Sequence, residues 1–224
     1  MTRPNTPEIL AFSRTAYSSI AAVVLVGLII ELALAVTGAA DANSGEAGDA
    51  VPIVTRLVRL FSFFTIQSNV LVGVVAILLV LRPLRDGRGW RVAVLDALLG
   101  IVITGLVFAI VLAPQVHPTG WALVATICLH YISPPLTLAA WLLFGPRPRF
   151  AVSTALAAFL WPTAWLLYTF VHGAITHWYP YPFLDAGTLG FVHAITNAVL
   201  VVLAAVVVTA ALLAVDRCTP TRPR

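Results

Sequence analysis

Six apolar runs, at about residues 15 to 39, 61 to 81, 92 to 113, 119 to 144, 151 to 172 and 188 to 215, constrain this 224-residue chain more than any other feature. Each is long enough to cross a bilayer, which takes roughly 20 apolar residues as a helix. Short connections use up the remainder, so the expectation is one domain over residues 1–224: an all-α, polytopic six-helix transmembrane bundle. Composition agrees, since 60% of residues are hydrophobic and 10% charged, with a mean hydropathy of +0.99. A water-soluble domain does not carry such values.

The formal net charge of +4 comes entirely from arginine, because the chain contains no lysine. In a soluble protein a basic balance points to nucleic acid, but these arginines sit in short loops between apolar runs and are read as topology, not as a nucleic-acid surface. Arg82, Arg85, Arg88 and Arg91 separate runs two and three, Arg147 and Arg149 separate runs four and five, and Arg217, Arg222 and Arg224 follow run six. With Arg3 and Arg14 they make eleven on one side against Arg56 and Arg59 on the other. Both termini are therefore expected on the cytoplasmic side. The first run is longer than a cleavable signal core and is read as a retained anchor. Cys128 lies within an apolar run and Cys218 in the polar tail, so no disulfide is expected between them.

Polar side chains inside spans are costly, so their depth is informative. At about 1.5 Å of rise per residue, Thr65 and Asn69 lie roughly 9 to 15 Å below Arg59, and His130 about 14 Å below Trp121. Glu31, Thr104, Tyr168, His172, His193 and Asn197 fall in the same range. All six runs thus contribute to a polar layer in the outer half, which predicts a cavity opening to the outer leaflet. Thr65, Gln67, Ser68 and Asn69 also fit as ordinary interhelical hydrogen-bonding groups. His130 needs a partner at each ring nitrogen, and Glu31 is the candidate to orient it. Asp96, near the arginine-rich loop, is read as an interfacial ion-pair partner. His172 and His177 lack metal-ligand spacing and an accompanying carboxylate set, so neither metal nor cofactor is expected.

A threonine hydroxyl becomes a nucleophile when a base removes its proton, and a neutral histidine within hydrogen-bond reach supplies one. Phe63-Phe64-Thr65 opening one helix, His130 followed by Ser133-Pro134-Pro135 in another, and the segment Trp178-Tyr179-Pro180-Tyr181-Pro182-Phe183-Leu184-Asp185 occur in the order seen in the androgen-induced protein family, which the chain resembles. That family includes the androgen-dependent regulator of tissue factor pathway inhibitor and consists of intramembrane threonine hydrolases. The chain is also similar, over nearly its full length, to bacterial six-helix proteins carrying a segment like Phe64 to Asn69, a resemblance that implies a bacterial cytoplasmic membrane.

The resemblance implies a hydrolase of fatty acid esters of hydroxy fatty acids, with Thr65 as nucleophile, His130 as base, and membrane lipids and a lipid ester as its partners. Gln67, Ser68, Asn69 or nearby backbone N–H groups are the candidates to stabilise the oxyanion, and Arg56 or Arg59 to hold a lipid carboxylate. The rival readings are a small-molecule or proton-coupled transporter, with Glu31, His130 and His193 lining the path, and a lipid-binding protein without catalysis.

Overall fold

The computed structural model describes residues 6–39, 51–145 and 149–218. Asp41, Glu46, Asp49, Arg3, Arg147, Arg222 and Arg224 lie outside them. Six helices are long and apolar enough to cross a membrane, and no strand occurs among the described residues. The protein is an all-α integral membrane bundle.

Helix α1 covers Thr6–Thr37, α2 Ile53–Ser62 and α3 Phe64–Leu81. The remaining spans are α4 at Arg88–Leu112, α5 at Gly120–Phe144, α6 at Val152–Thr176 and α7 at Phe191–Cys218. Two differences from the sequence expectation stand out. Helix α1 begins nine residues before the expected boundary, and the stretch before Phe63 forms a separate helix, α2, instead of loop followed by the start of a span. In α2, apolar residues alternate with Arg56 and Arg59 at helical spacing, so one face is apolar and the other cationic. Phe63 adopts an extended conformation (φ −67°, ψ 127°) and starts α3 afresh.

Helix α4 is the most enclosed span. It packs against α3, α5, the first turns of α6, and α7, whereas α1 lies on α3 and α5. Towards the arginine-rich end the core is apolar: Tyr17, Ile20 and Val24 of α1 interlock with Val72, Val75 and Leu79 of α3 and with Ile101 of α4. Gly27 is required here, since a Cβ at this position would stand 2.6 Å from the Leu129 side chain on α5.

Proline shapes the spans. Pro134 and Pro135 have no N–H to offer the carbonyls one turn earlier, and the preceding residues Ile127–Ile132 adopt a π-helical turn in which Ser133 N–H reaches the Cys128 carbonyl. Pro162 likewise leaves the Ala158 carbonyl without its helical donor, and α6 is interrupted at Phe159. Helix α6 ends at His177, which takes a left-handed conformation (φ 56°) and donates its N–H to the Gly173 carbonyl. The chain then folds back along α6. Gly173 permits this, because any Cβ there would overlap the Tyr179 ring.

At the arginine-rich end, charges tie loops to helices. Asp216 of α7 accepts hydrogen bonds from the backbone N–H groups of Arg149 (2.7 Å) and Phe150 (2.8 Å). Arg91 makes a two-pronged pair with Asp86 at 2.8 and 2.9 Å. Asp96, expected to pair with an arginine of this region, makes no ion pair among the described residues. Residues 91 and 96 are five apart and therefore face different sides of α4, whereas Asp86 precedes the helix and turns back onto Arg91 at Gly87 (φ 129°).

Candidate functional site

Thr65 sits in the first turn of α3, where the earliest backbone N–H groups have no intrahelical acceptor. Its N–H is satisfied by the Tyr181 hydroxyl oxygen at 3.1 Å. Its Oγ1 lies 3.3 Å from His130 Nε2 and 3.2 Å from the same Tyr181 hydroxyl. All three side chains are buried, at 3%, 4% and 5% exposure for Thr65, His130 and Tyr181. The partially positive end of α3 favours any negative charge that forms on Oγ1.

His130 projects from the π-helical turn of α5, a widened turn that changes which way the following side chains point. Its ring stacks on Phe108 of α4 with centroids 4.0 Å apart. Nδ1 is buried and turned toward the Thr126 carbonyl without the geometry of a full hydrogen bond. A proton on Nδ1 satisfies that orientation and leaves Nε2 as the acceptor that faces Thr65. Glu31 is fully buried on α1 and makes no direct hydrogen bond to either ring nitrogen of His130. The stacked Phe108 ring and the π-turn orient the imidazole.

The other expected residues separate by location. Asn69, one turn below Thr65, donates from Nδ2 to the Thr65 carbonyl (2.9 Å) and to the Leu129 carbonyl (3.3 Å), the residue before His130. It is a strut between the two halves of the pair. Gln67 bonds the Phe61 carbonyl and the Trp161 indole, which bridges the α2–α3 break to α6. Ser68 is buried against Gly100 of α4. Tyr168 joins α6 to α2 through the Ser62 hydroxyl at 2.7 Å. Asn197 holds the Phe183 carbonyl at 2.9 Å and so fastens the segment that carries Tyr181 to α7.

His172 contacts Thr176 and Trp178 near the end of α6, and His193 is exposed and bonds the Leu189 carbonyl of its own turn. Arg59 lies over the Trp178 ring, 5.0 Å from its centroid. Arg56 is half-buried, with Nε and Nη1 lacking a hydrogen-bond partner among the described residues. These four residues surround the end of the bundle and do not touch Thr65.

Beside the pair is a cavity of about 70 Å³ between α3, α4, α6 and α7, lined at one end by Thr65, Tyr181 and Leu112 and at the other by Leu99 and Ala205. Leu112 and Leu99 are separated by about 20 Å along α4. The walls are apolar apart from Thr65, Thr104, Thr163 and Tyr181.

Tyr181 and Phe108 complete the site and were not among the residues that sequence reasoning selected. For Tyr181 the signal was present in the alternation of aromatic residues and prolines at 178–183, which reads equally well as an interfacial aromatic belt. Phe108 carries no sequence signal that separates it from other apolar residues of its span. No protein-family model, no curated protein and no solved structure matches this chain.

Proposed function

We propose that this protein is an intramembrane lipid ester hydrolase in which Thr65 is the nucleophile and His130 the general base. The observation that carries the reading is the 3.3 Å approach of Thr65 Oγ1 to His130 Nε2, inside the membrane span and beside an apolar cavity. An acyl chain fits walls of this character, while the hydroxyl stands at the polar end where an ester carbonyl would lie. The positive-inside rule favours the arginine-rich end as the cytoplasmic one and hence the outer leaflet for the site, and the resemblance to bacterial six-helix proteins favours a bacterial cytoplasmic membrane.

The chemistry runs in two steps. His130 Nε2 takes the Thr65 proton as Oγ1 bonds to the acyl carbon, and the carbonyl electron pair moves onto its oxygen. The carbonyl then reforms, the alcohol leaves with the proton from His130, and an acyl-threonine remains. Water, deprotonated by His130, releases the fatty acid and restores the hydroxyl. The resemblance to the androgen-induced protein family supports fatty acid esters of hydroxy fatty acids as substrates, and Arg56, whose Nε and Nη1 have no hydrogen-bond partner among the described residues, is the group to receive a substrate carboxylate.

The test is mass spectrometry of such an ester incubated with purified wild type, Thr65→Ala and His130→Ala protein. Cleavage by wild type, with a loss of about a thousandfold or more in each variant while both remain monodisperse in detergent, is the expected result. Full activity in either variant removes the assigned roles. No cleavage by any form, with intact lipid co-purifying, shifts the reading to lipid binding.

A further inference from the structure

Thr65 Oγ1 has a second polar neighbour besides His130, and the geometry around it is directional. The Tyr181 oxygen already accepts the Thr65 N–H at 3.1 Å, so its own proton points elsewhere, and Oγ1 stands 3.2 Å away as an acceptor. Oγ1 is then left to donate its own proton to His130 Nε2 at 3.3 Å. The result is a chain of donors running from the Thr65 N–H through the phenol and the threonine hydroxyl to the imidazole. Each bond polarises the next in a low-dielectric interior.

A buried tyrosine needs one hydrogen-bond partner, and the Thr65 N–H alone would satisfy it. The contact to the nucleophile is additional. The phenol is also held by a scaffold that does not depend on Thr65. Its ring packs on Phe63, Trp165 and Phe183 at centroid distances of 5.6, 6.0 and 5.4 Å. Leu184 N–H donates to the Tyr181 carbonyl, and Asp185 caps the next turn through the N–H groups of Gly187 and Thr188. A donor fixed before reaction spends nothing on reorganisation during it.

We infer that Tyr181 is a catalytic residue whose phenol O–H stabilises the negative charge that develops on Thr65 Oγ1 as its proton passes to His130. The inference rests on the hydrolase reading. As Oγ1 bonds to the acyl carbon its charge passes to the carbonyl oxygen, which is attached to that same carbon and within reach of the same O–H. Tyr181 keeps its proton throughout. The proton from Oγ1 resides on His130 until the leaving alcohol takes it, and Tyr181 and Thr65 both face the cavity from which the ester approaches.

The experiment measures two rates on the full-length protein in detergent: turnover of the lipid ester, and labelling by an alkyl phosphonofluoridate, which bonds phosphorus to Oγ1 with loss of fluoride. Tyr181→Phe keeps the ring contacts and removes the donor. Both rates are expected to fall about a hundredfold, with KM within about threefold of wild type and the thermal midpoint lowered by about 3 to 10 °C, because the Thr65 N–H loses its acceptor. Replacement of Tyr181 by 3-fluorotyrosine, a more acidic donor of nearly the same shape, is expected to match or exceed the wild-type labelling rate. Wild-type rates in Tyr181→Phe overturn the inference, as does a fluorotyrosine protein as slow as the phenylalanine variant. If Tyr181→Phe does not fold, 3-fluoro- and 3,5-difluorotyrosine proteins decide, compared at a pH where the phenol stays protonated: labelling that rises with donor acidity supports the inference, and labelling that does not vary with it overturns it. Wild type that is neither labelled nor active defeats the hydrolase reading itself, which separates that failure from the failure of Tyr181.

Discussion

Asp216 and Asn69 are both fully buried polar side chains on membrane-spanning helices, and each makes two hydrogen bonds to backbone groups of another part of the chain or its own turn. At the arginine-rich end, Asp216 holds the two N–H groups of the segment that leads into α6, above a core of interlocked aliphatic side chains. At the opposite end, Asn69 joins the carbonyls of Thr65 and Leu129, next to a cavity and the Thr65 hydroxyl, which contacts both the Tyr181 phenol and the His130 imidazole. The same expenditure of buried polarity fastens a loop in one place and sets a distance in the other. Stability and function are therefore expected to respond separately to mutation at the two ends.

Asn69→Ala is the stronger way to break that comparison. Removing the strut frees the Leu129 carbonyl and the first turn of α3, so Thr65 and His130 lose the link that fixes their separation. Turnover is expected to drop by about 10- to 100-fold, the penalty of misplacing reacting groups by about 1 Å, with KM little changed. Steady-state kinetics on the lipid ester checks this. Unchanged kcat together with a large loss of thermal stability would make Asn69 a fastener like Asp216, and the contrast between the two ends would disappear.

Asp216→Ala sharpens it from the other side. Two N–H groups near the membrane surface lose their acceptor, which costs about 1 to 3 kcal/mol for a group that stays buried. The thermal midpoint in detergent is expected to fall by about 3 to 10 °C. Ester turnover per folded molecule should stay within about twofold of wild type, because α3 and the π-turn of α5 do not lean on this contact. A loss of kcat without a loss of stability would mean that the arginine-rich end communicates with the site.

The six spans were legible because hydrophobic length is a property of the linear sequence. The meeting of Thr65 and His130 was also within reach, since depth along two helices follows from residue counts, though helix rotation does not. Three features were hidden for identifiable reasons. Helix α2 is short and contains Arg56 and Arg59, so hydropathy assigns it partly to a loop, and only the helical spacing of its apolar residues reveals it. The strut role of Asn69 requires the π-turn, which displaces the Leu129 carbonyl and arises from two prolines five and six residues further on. Tyr181 reaches Thr65 because the chain folds back over Gly173, a contact 116 positions apart that no periodicity encodes. Glu31 and His130 share a depth without a direct hydrogen bond, because a common depth leaves helix rotation open.

The smallest expected effect lies at Asp86, on the surface of the arginine-rich end. The two hydrogen bonds from Arg91 and the Gly87 N–H hold its carboxyl well below the usual carboxylate range. A carboxylate favoured in the folded state contributes stability that is fully present above its ordinary pKa of about 4 and is lost as the pH falls from there through the depressed value. Asp86→Asn should accordingly lower the thermal midpoint in detergent by about 1 to 3 °C between pH 5 and 8, and the gap from wild type should close below about pH 4. Added salt should shrink the same gap, because the pair is open to solvent. A gap that persists at acid pH and in high salt would assign the effect to the turn geometry at Gly87 rather than to charge, and the fastening at this end would then be a matter of backbone hydrogen bonds at Asp86 as it is at Asp216.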